Sequence, residues 1–275
     1  MKPVSKTAYY CCGCRMHDAE SENPVVGDYY ARQLLGDQGM IYWEDFKNFT
    51  FPRASNIARH YIVETILRKQ LYNDPKATII QVGAGLDTRA FRMYGGSWVE
   101  VDAPEVINYK ESIIPSVECK NNLQRIPINF EKEQLSEKLH SFVGRKNVIV
   151  VVEGVWFYLS KEERNILLNT LATLFPTHKL ICDLMNKYFF EKLAAKGIHQ
   201  KLQEHGTTFV DVLEYPEETM INFGYEQIEK KSMIKTAGSL GLNGVWKSAM
   251  MRLMPGNLAN GYMVHLFQFD KHSSH

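Results

Sequence analysis

An apolar run that ends in a glycine turn constrains this chain more than any other feature. Residues 79–82 read Ile-Ile-Gln-Val, and Gly83, Ala84 and Gly85 follow them directly. A second run, residues 98–102, ends at Asp102. Strand, glycine turn, helix and a strand that closes on an acidic residue are the pattern of a βαβ nucleotide site. Glycines let the backbone approach a cofactor, and a carboxylate can accept hydrogen bonds from ribose hydroxyls.

The kind of nucleotide follows from what this turn lacks. A dinucleotide-binding turn carries Gly or Ala as its sixth residue, and Thr88 stands there in this chain. No Gly-Lys-Ser/Thr follows, which argues against a phosphate-binding Walker loop. Because there is no pyrophosphate to bind, S-adenosylmethionine is the better fit. A strand-to-helix turn that needs glycines for its own geometry remains the alternative on the local pattern.

Strand and helix patterns alternate along the chain from residue 75 onward. This alternation predicts an α/β fold with a doubly wound parallel sheet. The predicted strands are 77–82, 98–102, 124–129, 147–153, 179–184, 225–231 and 262–269. The predicted helices are 87–94, 104–115, 131–142 and 160–175, the last with a capping box of Ser160 and Glu163. Pro127 suggests that the third strand lies at an edge of the sheet.

The segments outside this alternation have their own expected roles. Residues 1–74 contain no convincing strand, and we expect them to form an N-terminal helical cap over a domain of residues 75–275, all in one compact unit. We expect 186–222 to be a helical insertion near the substrate. Residues 236–261 alternate glycines with methionines and other apolar residues, which predicts a flexible apolar loop. This loop either covers an apolar substrate or packs on the core.

Three motifs occur in order at plausible spacing. The first is Gly-Ala-Gly-Leu-Asp-Thr-Arg-Ala-Phe-Arg-Met at 83–93, and the second is Glu-Val-Asp-Ala-Pro-Glu-Val at 100–106 followed by Lys110. The third is Val-Glu-Gly-Val-Trp-Phe-Tyr-Leu-Ser at 152–160. Together they resemble the leucine carboxyl methyltransferase family, in its bacterial S-adenosylmethionine-dependent O-methyltransferase branch. Residues 15–21 and 28–31 resemble the opening of that branch, with departures.

The resemblance implies a Rossmann-like class I methyltransferase fold whose last strand is antiparallel, so that the sheet is mostly parallel. It implies that Arg53 pairs with the cofactor carboxylate, although a solvated charge at a helix start is the alternative. It also implies that Asn129 and Phe130 contact the adenine and that Glu153 lies near the methionine amino group. Tyr158 is implied as a substrate-pocket residue, or otherwise a core aromatic.

The carboxyl ends of parallel strands meet at one edge of a doubly wound sheet. We therefore expect Gly83, Asp102, Asn129 and Glu153, each at a predicted strand end, to surround one crevice, with Gly83 and Gly85 against the methionine part. Arg15 is a speculative contact of cofactor or substrate. Two further arginines, Arg89 and Arg92, are either ligand contacts or buried partners of Asp87 or Glu100.

Composition restricts the possible partners. The formal net charge of +1 gives no sign of a nucleic-acid partner. We expect a cytoplasmic protein, because the first residues lack a continuous apolar core and no apolar run could span a bilayer. Cys11 and Cys14 with His17 could belong to a metal site, but a second ligand pair is lacking. We interpret them as helix residues and expect no metal.

These features favour an S-adenosylmethionine-dependent O-methyltransferase that acts on a carboxylate or hydroxyl of a natural-product-type small molecule. A carboxylate acceptor needs no general base, whereas a phenol would need one. The candidate bases are His178, His199, His205 and His265. Two alternatives remain open. One is methylation of a protein C-terminal carboxylate, and the other is a different class of protein, either a module that binds a cofactor without catalysis or a nicotinamide-dependent enzyme.

Overall fold

A single seven-stranded sheet, in the order β3-β2-β1-β4-β5-β7-β6, organises the computed structural model, which describes residues 3–195 and 197–271. The strands are β1 (Thr78–Val82), β2 (Ser97–Asp102), β3 (Asn122–Pro127), β4 (Val148–Val152), β5 (Thr177–Met185), β6 (Glu226–Ser232) and β7 (Tyr262–Asp270). Every predicted strand is present, with ends that differ by a few residues.

Strand directions confirm a doubly wound, mostly parallel sheet. The first five strands pair in parallel, whereas β7 pairs antiparallel with both β5 and β6. The third strand lies at an edge, as its proline predicts, since proline cannot donate a ladder hydrogen bond. All five residues of the central strand β4 are buried, which explains its unbroken apolar run.

Helices cover both faces of the sheet. Within the described residues they are α1 (Pro3–Ala19), α2 (Ala31–Glu44), α3 (Thr50–Asn73), α4 (Arg89–Arg92), α5 (Pro104–Ile113), α6 (Leu135–Lys138), α7 (Lys161–Leu174), α8 (Lys187–Phe189), α9 (Ile198–Glu204), α10 (Glu218–Phe223), α11 (Met233–Ser239), α12 (Val245–Leu253) and α13 (Gly256–Ala259). A π-helical turn, Phe190–Ala194, follows α8. The capping box of Ser160 and Glu163 is formed at the start of α7, as predicted.

Alternate residues of the central strands face opposite sides of the sheet. Ile79 and Ile149 pack on the side of α3 and α11, while Ile80 and Val150 pack on the side of α7. A third apolar cluster joins α1 and α2 to the start of α5. The described part of the segment 1–74 thus contains helices α1–α3 and no strand, and the domain boundary at residue 75 stays a prediction.

The prediction of a flexible apolar loop at 236–261 is wrong. Most of α11, together with α12 and α13, occupies this segment, and two glycines in the left-handed region, Gly241 and Gly244, separate the first two of these helices. Such glycines mark helix boundaries as readily as loops, and the sequence pattern does not distinguish them. The 186–222 segment, apart from residue 196, contains the expected short helices α8–α10. None of the helices within the described ranges is both long and apolar enough to cross a membrane.

Candidate active site

The turn after β1 brings the backbone to the carboxyl edge of the sheet. Gly83 and Gly85 have φ angles of 72° and 52°, a region that favours glycine. A Cβ atom on Gly83 would lie 2.5 Å from Cγ2 of Val155, so close packing also requires glycine there. The first glycine of the turn therefore serves both the backbone conformation and the approach of the loop after β4.

Asp102, the last residue of β2, holds this turn in place. Its two carboxylate oxygens accept hydrogen bonds from the backbone N–H groups of Gly85 and Ala103, both at 2.6 Å. Burial raises the pKa of the Asp102 carboxyl, although these two hydrogen bonds oppose that shift. Since each carboxylate oxygen can accept a second hydrogen bond, Asp102 keeps acceptor capacity for a ligand.

One large cavity collects the predicted strand-end residues. Its volume is about 1000 Å³, and Gly83, Gly85, Asp102, Asn129, Phe130, Glu153 and Tyr158 all line it. Phe130 is 51% exposed, so its ring is open to a ligand. The Asn129 side chain accepts a hydrogen bond from the backbone N–H of Glu131 at 3.1 Å. The crevice expected from the sheet topology is therefore present in the structure.

Carboxylates outnumber cations among the residues that line this cavity, and Arg89 and Lys138 from outside the lining pair with three of them. Arg15 and Arg59 are the cations among its described lining residues. The carboxylates that line it are Asp87, Asp102, Glu105, Glu131, Glu133, Glu153 and Glu163. Such a surface favours a cationic ligand over one that carries a diphosphate.

Glu153 is fixed by two arginines. Its Oε1 accepts a hydrogen bond from Nε of Arg59 at 3.0 Å, and its Oε2 lies 2.8 Å from Nη1 of Arg89. Burial alone would raise the pKa of Glu153, but the two guanidinium groups outweigh it and hold the pKa well below its usual range. Glu153 is therefore a carboxylate at neutral pH, as an ammonium-binding role requires.

Arg59, rather than Arg53, lies beside the predicted cofactor residues. Arg53 does not line this cavity, and its Nη1 donates to the backbone oxygen of Lys47 at 2.6 Å. Arg59 lines the cavity and also donates to Oδ2 of Asp183 at 3.1 Å. The structure thus does not bring Arg53 to the predicted cofactor residues.

The arginines of the glycine motif are structural partners. Arg89 is fully buried and forms an ion pair with Asp87, as one of the two interpretations predicts. Arg92 pairs instead with Glu64 at 2.9 Å. The suggested partner Glu100 is bound by Lys110 at 2.8 Å and Arg125 at 2.9 Å, so the pairing of Arg89 or Arg92 with Glu100 is wrong.

A second, smaller cavity of about 100 Å³ adjoins the large one. The two share Thr7, Cys11, Arg59, Gly154 and Tyr158 as lining residues. Residues of the 186–222 segment contribute to its wall, whereas no residue of 236–261, all described, lines either cavity. The segment 236–261 therefore does not cover the site in this structure.

Tyr158 stands where the two cavities meet. Its ring packs against Phe157 and Phe209, with centroid distances of 4.9 and 5.3 Å. Burial raises the pKa of Tyr158, so its phenol is neutral at physiological pH. Its position matches the predicted substrate-pocket residue, and its role stays a prediction.

The histidines proposed as general bases lie elsewhere. None of the four lines either cavity. His178 is enclosed between the backbone oxygen of Phe175 and the hydroxyl of Tyr225, and burial lowers its pKa to about 4. His199 accepts from the backbone N–H of Phe209, His205 pairs with Asp45, and His265 contacts Gln227. None of them is positioned to take a proton from a bound acceptor.

His60 is the cavity histidine that sequence reasoning missed. Its Nδ1 lies 2.7 Å from Nη2 of Arg89, and its Nε2 lies 3.0 Å from Nη2 of Arg92. Burial and then the charge of Arg89 lower its pKa to about 4. His60, Asp87 and Glu153 bring three potential metal-ligand atoms within 4.8 Å, but Arg89 already supplies a positive charge to both carboxylates.

The N-terminal cysteines are helix residues, as interpreted from the sequence. Cys11, Cys12 and Cys14 all lie in α1. The Cys11 thiol accepts hydrogen bonds from Asn56 at 3.3 Å and from Nη2 of Arg59 at 3.5 Å. Cys11 therefore forms part of the wall between the two cavities.

We expect acid to destabilise the protein through His60. Its pKa is 6.5 in an unfolded chain and about 4 when folded, so the unfolded state binds more protons between these values. The free energy of unfolding then falls from pH 6.5 to pH 4, by about 1.4 kcal/mol per pH unit for one such histidine. Urea unfolding at pH 7.0 and 5.0 measures this slope. His60→Asn should flatten it by that amount, whereas replacing the exposed His140 with Asn should leave it unchanged; equal slopes in both variants contradict the prediction.

Comparison with known proteins identifies the family. The leucine carboxyl methyltransferase family matches residues 12–172, which is more than half of the chain. The chain belongs to the leucine carboxyl methyltransferase family. The matched region contains the glycine turn, Asp102, Glu153 and Tyr158, and the family predicted from the three motifs is confirmed.

Curated relatives agree with this family. The S-adenosyl-L-methionine-dependent methyltransferase dpfgK of Gibberella zeae is 26% identical over 58% of this chain, which spans 58% of the length of dpfgK. The tetracenomycin polyketide synthesis O-methyltransferase TcmP of Streptomyces glaucescens is 24% identical, and the match covers 75% of this chain and 74% of the length of TcmP. These comparisons confirm a methyltransferase that depends on S-adenosylmethionine.

Solved structures support the fold. Magnesium protoporphyrin IX methyltransferase of Synechocystis, solved with S-adenosylhomocysteine bound, has a TM-score of 0.50 and 13% identity, over 87% of this chain and 98% of that protein. At this identity the likeness shows the fold alone. The predicted Rossmann-like class I methyltransferase fold is confirmed.

Proposed function

We propose that this protein transfers the methyl group of S-adenosylmethionine to a carboxylate oxygen of a small molecule. The observation that carries the proposal is the position of the small cavity, which adjoins the cofactor cavity and offers no general base. Its described lining residues include no Asp, Glu, His or Lys. The name of the relative TcmP, an O-methyltransferase, agrees with transfer to oxygen.

The large cavity suits the cofactor in both shape and charge. Gly83 and Gly85 let the methionine part approach the backbone, and Asp102 would accept hydrogen bonds from the ribose hydroxyls. Asn129 and Phe130 would contact the adenine, with Phe130 stacked on the ring. The seven carboxylates favour S-adenosylmethionine, which carries one net positive charge, over an anionic dinucleotide.

The methionine part of the cofactor carries an ammonium group and a carboxylate, so the protein must offer one anion and one cation. Glu153 would accept hydrogen bonds from the ammonium group, because each of its oxygens retains acceptor capacity beyond its arginine. We assign the cofactor carboxylate to Arg59 rather than Arg53, since Arg59 lines the cavity beside Glu153 and Gly154. A guanidinium binds a carboxylate through short, charge-assisted hydrogen bonds.

The chain would act mainly by alignment. In the proposed arrangement residues 1–74 form the cap over the methyltransferase domain 75–275, and residues of both segments line the small cavity. The acceptor oxygen would face the methyl carbon near Tyr158, where the two cavities meet. Holding two reactants in line and excluding water supplies much of the rate of such a transfer.

A carboxylate is favoured over a hydroxyl for a reason of acid–base chemistry. A carboxylic acid is ionised at pH 7, whereas a phenol with a pKa near 10 needs a base. Three tyrosines, Tyr10, Tyr158 and Tyr262, line the small cavity, and burial raises the pKa of each. A neutral phenol cannot act as that base, so an acceptor that is already ionised fits best.

Two measurements test this function. Calorimetry should detect binding of S-adenosylmethionine at micromolar concentration, with NAD at least 100-fold weaker because the cavity is anionic. Incubation of the protein and a cell extract with cofactor labelled in its methyl group should place the label in small molecules. Alkali should then release it as volatile methanol, since methyl esters hydrolyse and methyl ethers do not.

Each contrary outcome removes a defined part of the proposal. No binding of S-adenosylmethionine by folded protein removes the cofactor assignment. Alkali-stable label in small molecules would favour a hydroxyl acceptor, and alkali-labile label in protein would favour a C-terminal carboxylate. Tight cofactor binding without transfer in any extract would favour a non-catalytic module.

A further inference from the structure

Aromatic rings dominate the small cavity that adjoins the cofactor cavity. Seven of its nineteen lining residues are Phe or Tyr, and the others include four aliphatic residues, Leu193, Ala194, Ile198 and Leu202. Five parts of the chain bring these rings together: helices α1 and α3, the turn after β4, the segment 186–222 and the start of β7. An aromatic wall assembled from separate parts of the chain calls for an explanation beyond the packing of one helix.

The rings already contact one another, and two of the pairs have the edge-on geometry that aromatic groups prefer. Phe157 lies 4.3 Å from Phe209 between ring centroids, and Tyr158 meets Phe209 edge-on at 5.3 Å and 77°. Tyr262 extends the row, at 6.4 Å and 74° from Phe157. A flat guest ring can add further edge-to-face or offset-stacked pairs, which an aliphatic group cannot form.

The volume of the cavity limits the size of the guest. It measures about 100 Å³. An apolar protein cavity of about 150 Å³ is known to hold benzene, so this smaller space, which opens toward the large cavity, limits the guest to at most one six-membered ring. Any charged substituent of the ring must extend toward the open side shared with the cofactor cavity.

The choice of substituent rests on the proposed function. Arg59 is the charged residue among the described residues that line the small cavity, and it stands on the shared side with Gly154 and Tyr158. Glu153 and Asp183 pair with this guanidinium at 3.0 and 3.1 Å, so its charge is balanced by the protein. The described lining residues include no carboxylate that could bind an amine, and a carboxylate on the ring needs no general base.

We propose that the methyl acceptor is a monocyclic aromatic carboxylic acid, whose ring occupies the small cavity and whose carboxylate faces the large one. This inference rests on the proposed function. A carboxylate oxygen forms a bond to the methyl carbon while the carbon–sulfur bond breaks and its electron pair stays on sulfur. The products are a methyl ester and a neutral thioether, and no proton is transferred.

Benzoate and cyclohexanecarboxylate form a matched pair of probes, because they share charge and ring size and differ in aromaticity and flatness. With the protein saturated by S-adenosylhomocysteine, we expect benzoate to bind about tenfold more tightly, as one or two additional aromatic pairs imply. 1-Naphthoate should bind at least tenfold more weakly than benzoate because of its second ring. Calorimetry or ligand-observed NMR measures all three affinities.

Phe209→Leu removes one wall ring, and Phe223→Leu is its control, since Phe223 packs on Phe269 in the cluster on the other side of the sheet. The first variant should reduce the preference for benzoate over cyclohexanecarboxylate to threefold or less, and the second should retain it. Equal affinity for the two probes in the unmodified protein overturns the inference. So does failure of both to bind to protein that binds S-adenosylmethionine, whereas failure to bind S-adenosylmethionine overturns the proposed function itself.

Discussion

Replacing Asp102 with alanine is expected to weaken the binding of S-adenosylmethionine by about 100-fold. A hydrogen bond to a charged group is worth about 1.5–3 kcal/mol, and a carboxylate can bind both ribose hydroxyls. Loss of about 3 kcal/mol corresponds to a little over two decades in the dissociation constant. The variant also loses the bonds from Gly85 and Ala103 that fix the glycine turn, which adds to the effect. Calorimetry measures the change.

The control for this variant is Glu105→Ala. Glu105 is another carboxylate that lines the large cavity, so its removal changes the cavity charge by the same amount. We expect its effect on affinity to stay within about threefold, because Glu105 is only partly buried and such a charge contributes at most about 1 kcal/mol. Far-ultraviolet circular dichroism should show that both variants are folded. If Asp102→Ala binds the cofactor within threefold of the unmodified protein, the ribose assignment is wrong.

Arg59→Met is expected to cost about 3–5 kcal/mol of the free energy of unfolding, because removing one partner of a buried ion pair leaves the others uncompensated. The affected groups are Glu153 and Asp183, which both bind this guanidinium. The variant should also lose at least 100-fold in affinity for S-adenosylmethionine. Urea unfolding followed by tryptophan fluorescence measures the first quantity, and calorimetry measures the second.

Arg53→Met is the matched control, since both arginines lie on α3 and are six residues apart. Its guanidinium bonds a backbone oxygen rather than a carboxylate, so we expect less than about 1 kcal/mol of destabilisation and unchanged cofactor affinity. Should Arg59→Met fail to fold, Arg59→Lys keeps the positive charge but lacks the planar guanidinium group. Arg59→Lys should still bind S-adenosylmethionine more weakly than Arg53→Met does. Strong loss of binding in Arg53→Met alone would restore the original assignment.

The sheet was predictable because local signals agreed with each other. The unbroken β-branched run at 148–152 fits a strand buried on both faces, and Pro127 fits an edge. Strand ends also predicted which residues would meet, since the carboxyl edge of a doubly wound sheet is a fixed place. Gly83, Asp102 and Glu153 accordingly share one cavity.

The place of Arg59 in the cavity was not predicted, because the family resemblance pointed to Arg53 and helix faces were not considered. Arg59 precedes Ile62, Val63 and Ile66 by three, four and seven residues, so it lies on their buried stripe. A charged residue on an apolar stripe is costly unless paired, and that signal could have identified it. Its partner Asp183 could not have been found this way, because the pairing joins α3 to β5 across 124 residues.

The segment 236–261 shows the limit of composition as a guide. Its glycines suggest a loop, but glycine is also favoured at the end of a helix, where the backbone takes the left-handed conformation, as Gly241 does after α11.

The histidines show that local sequence does not reveal which side chains line a cavity. Nothing local distinguishes His60, which lines the cavity, from His178, which is sealed in the core, since their surroundings come from distant strands and helices.

The excess of carboxylates around the large cavity has a consequence for turnover. Methyl transfer discharges the sulfonium, so the spent cofactor would leave the reaction electrically neutral while the surface around it keeps all of its negative charge. The attraction that draws fresh cofactor in would then no longer hold the by-product. Electrostatics alone would then favour replacement of the by-product by fresh S-adenosylmethionine. Raising the ionic strength should reduce this difference in affinity between the two molecules.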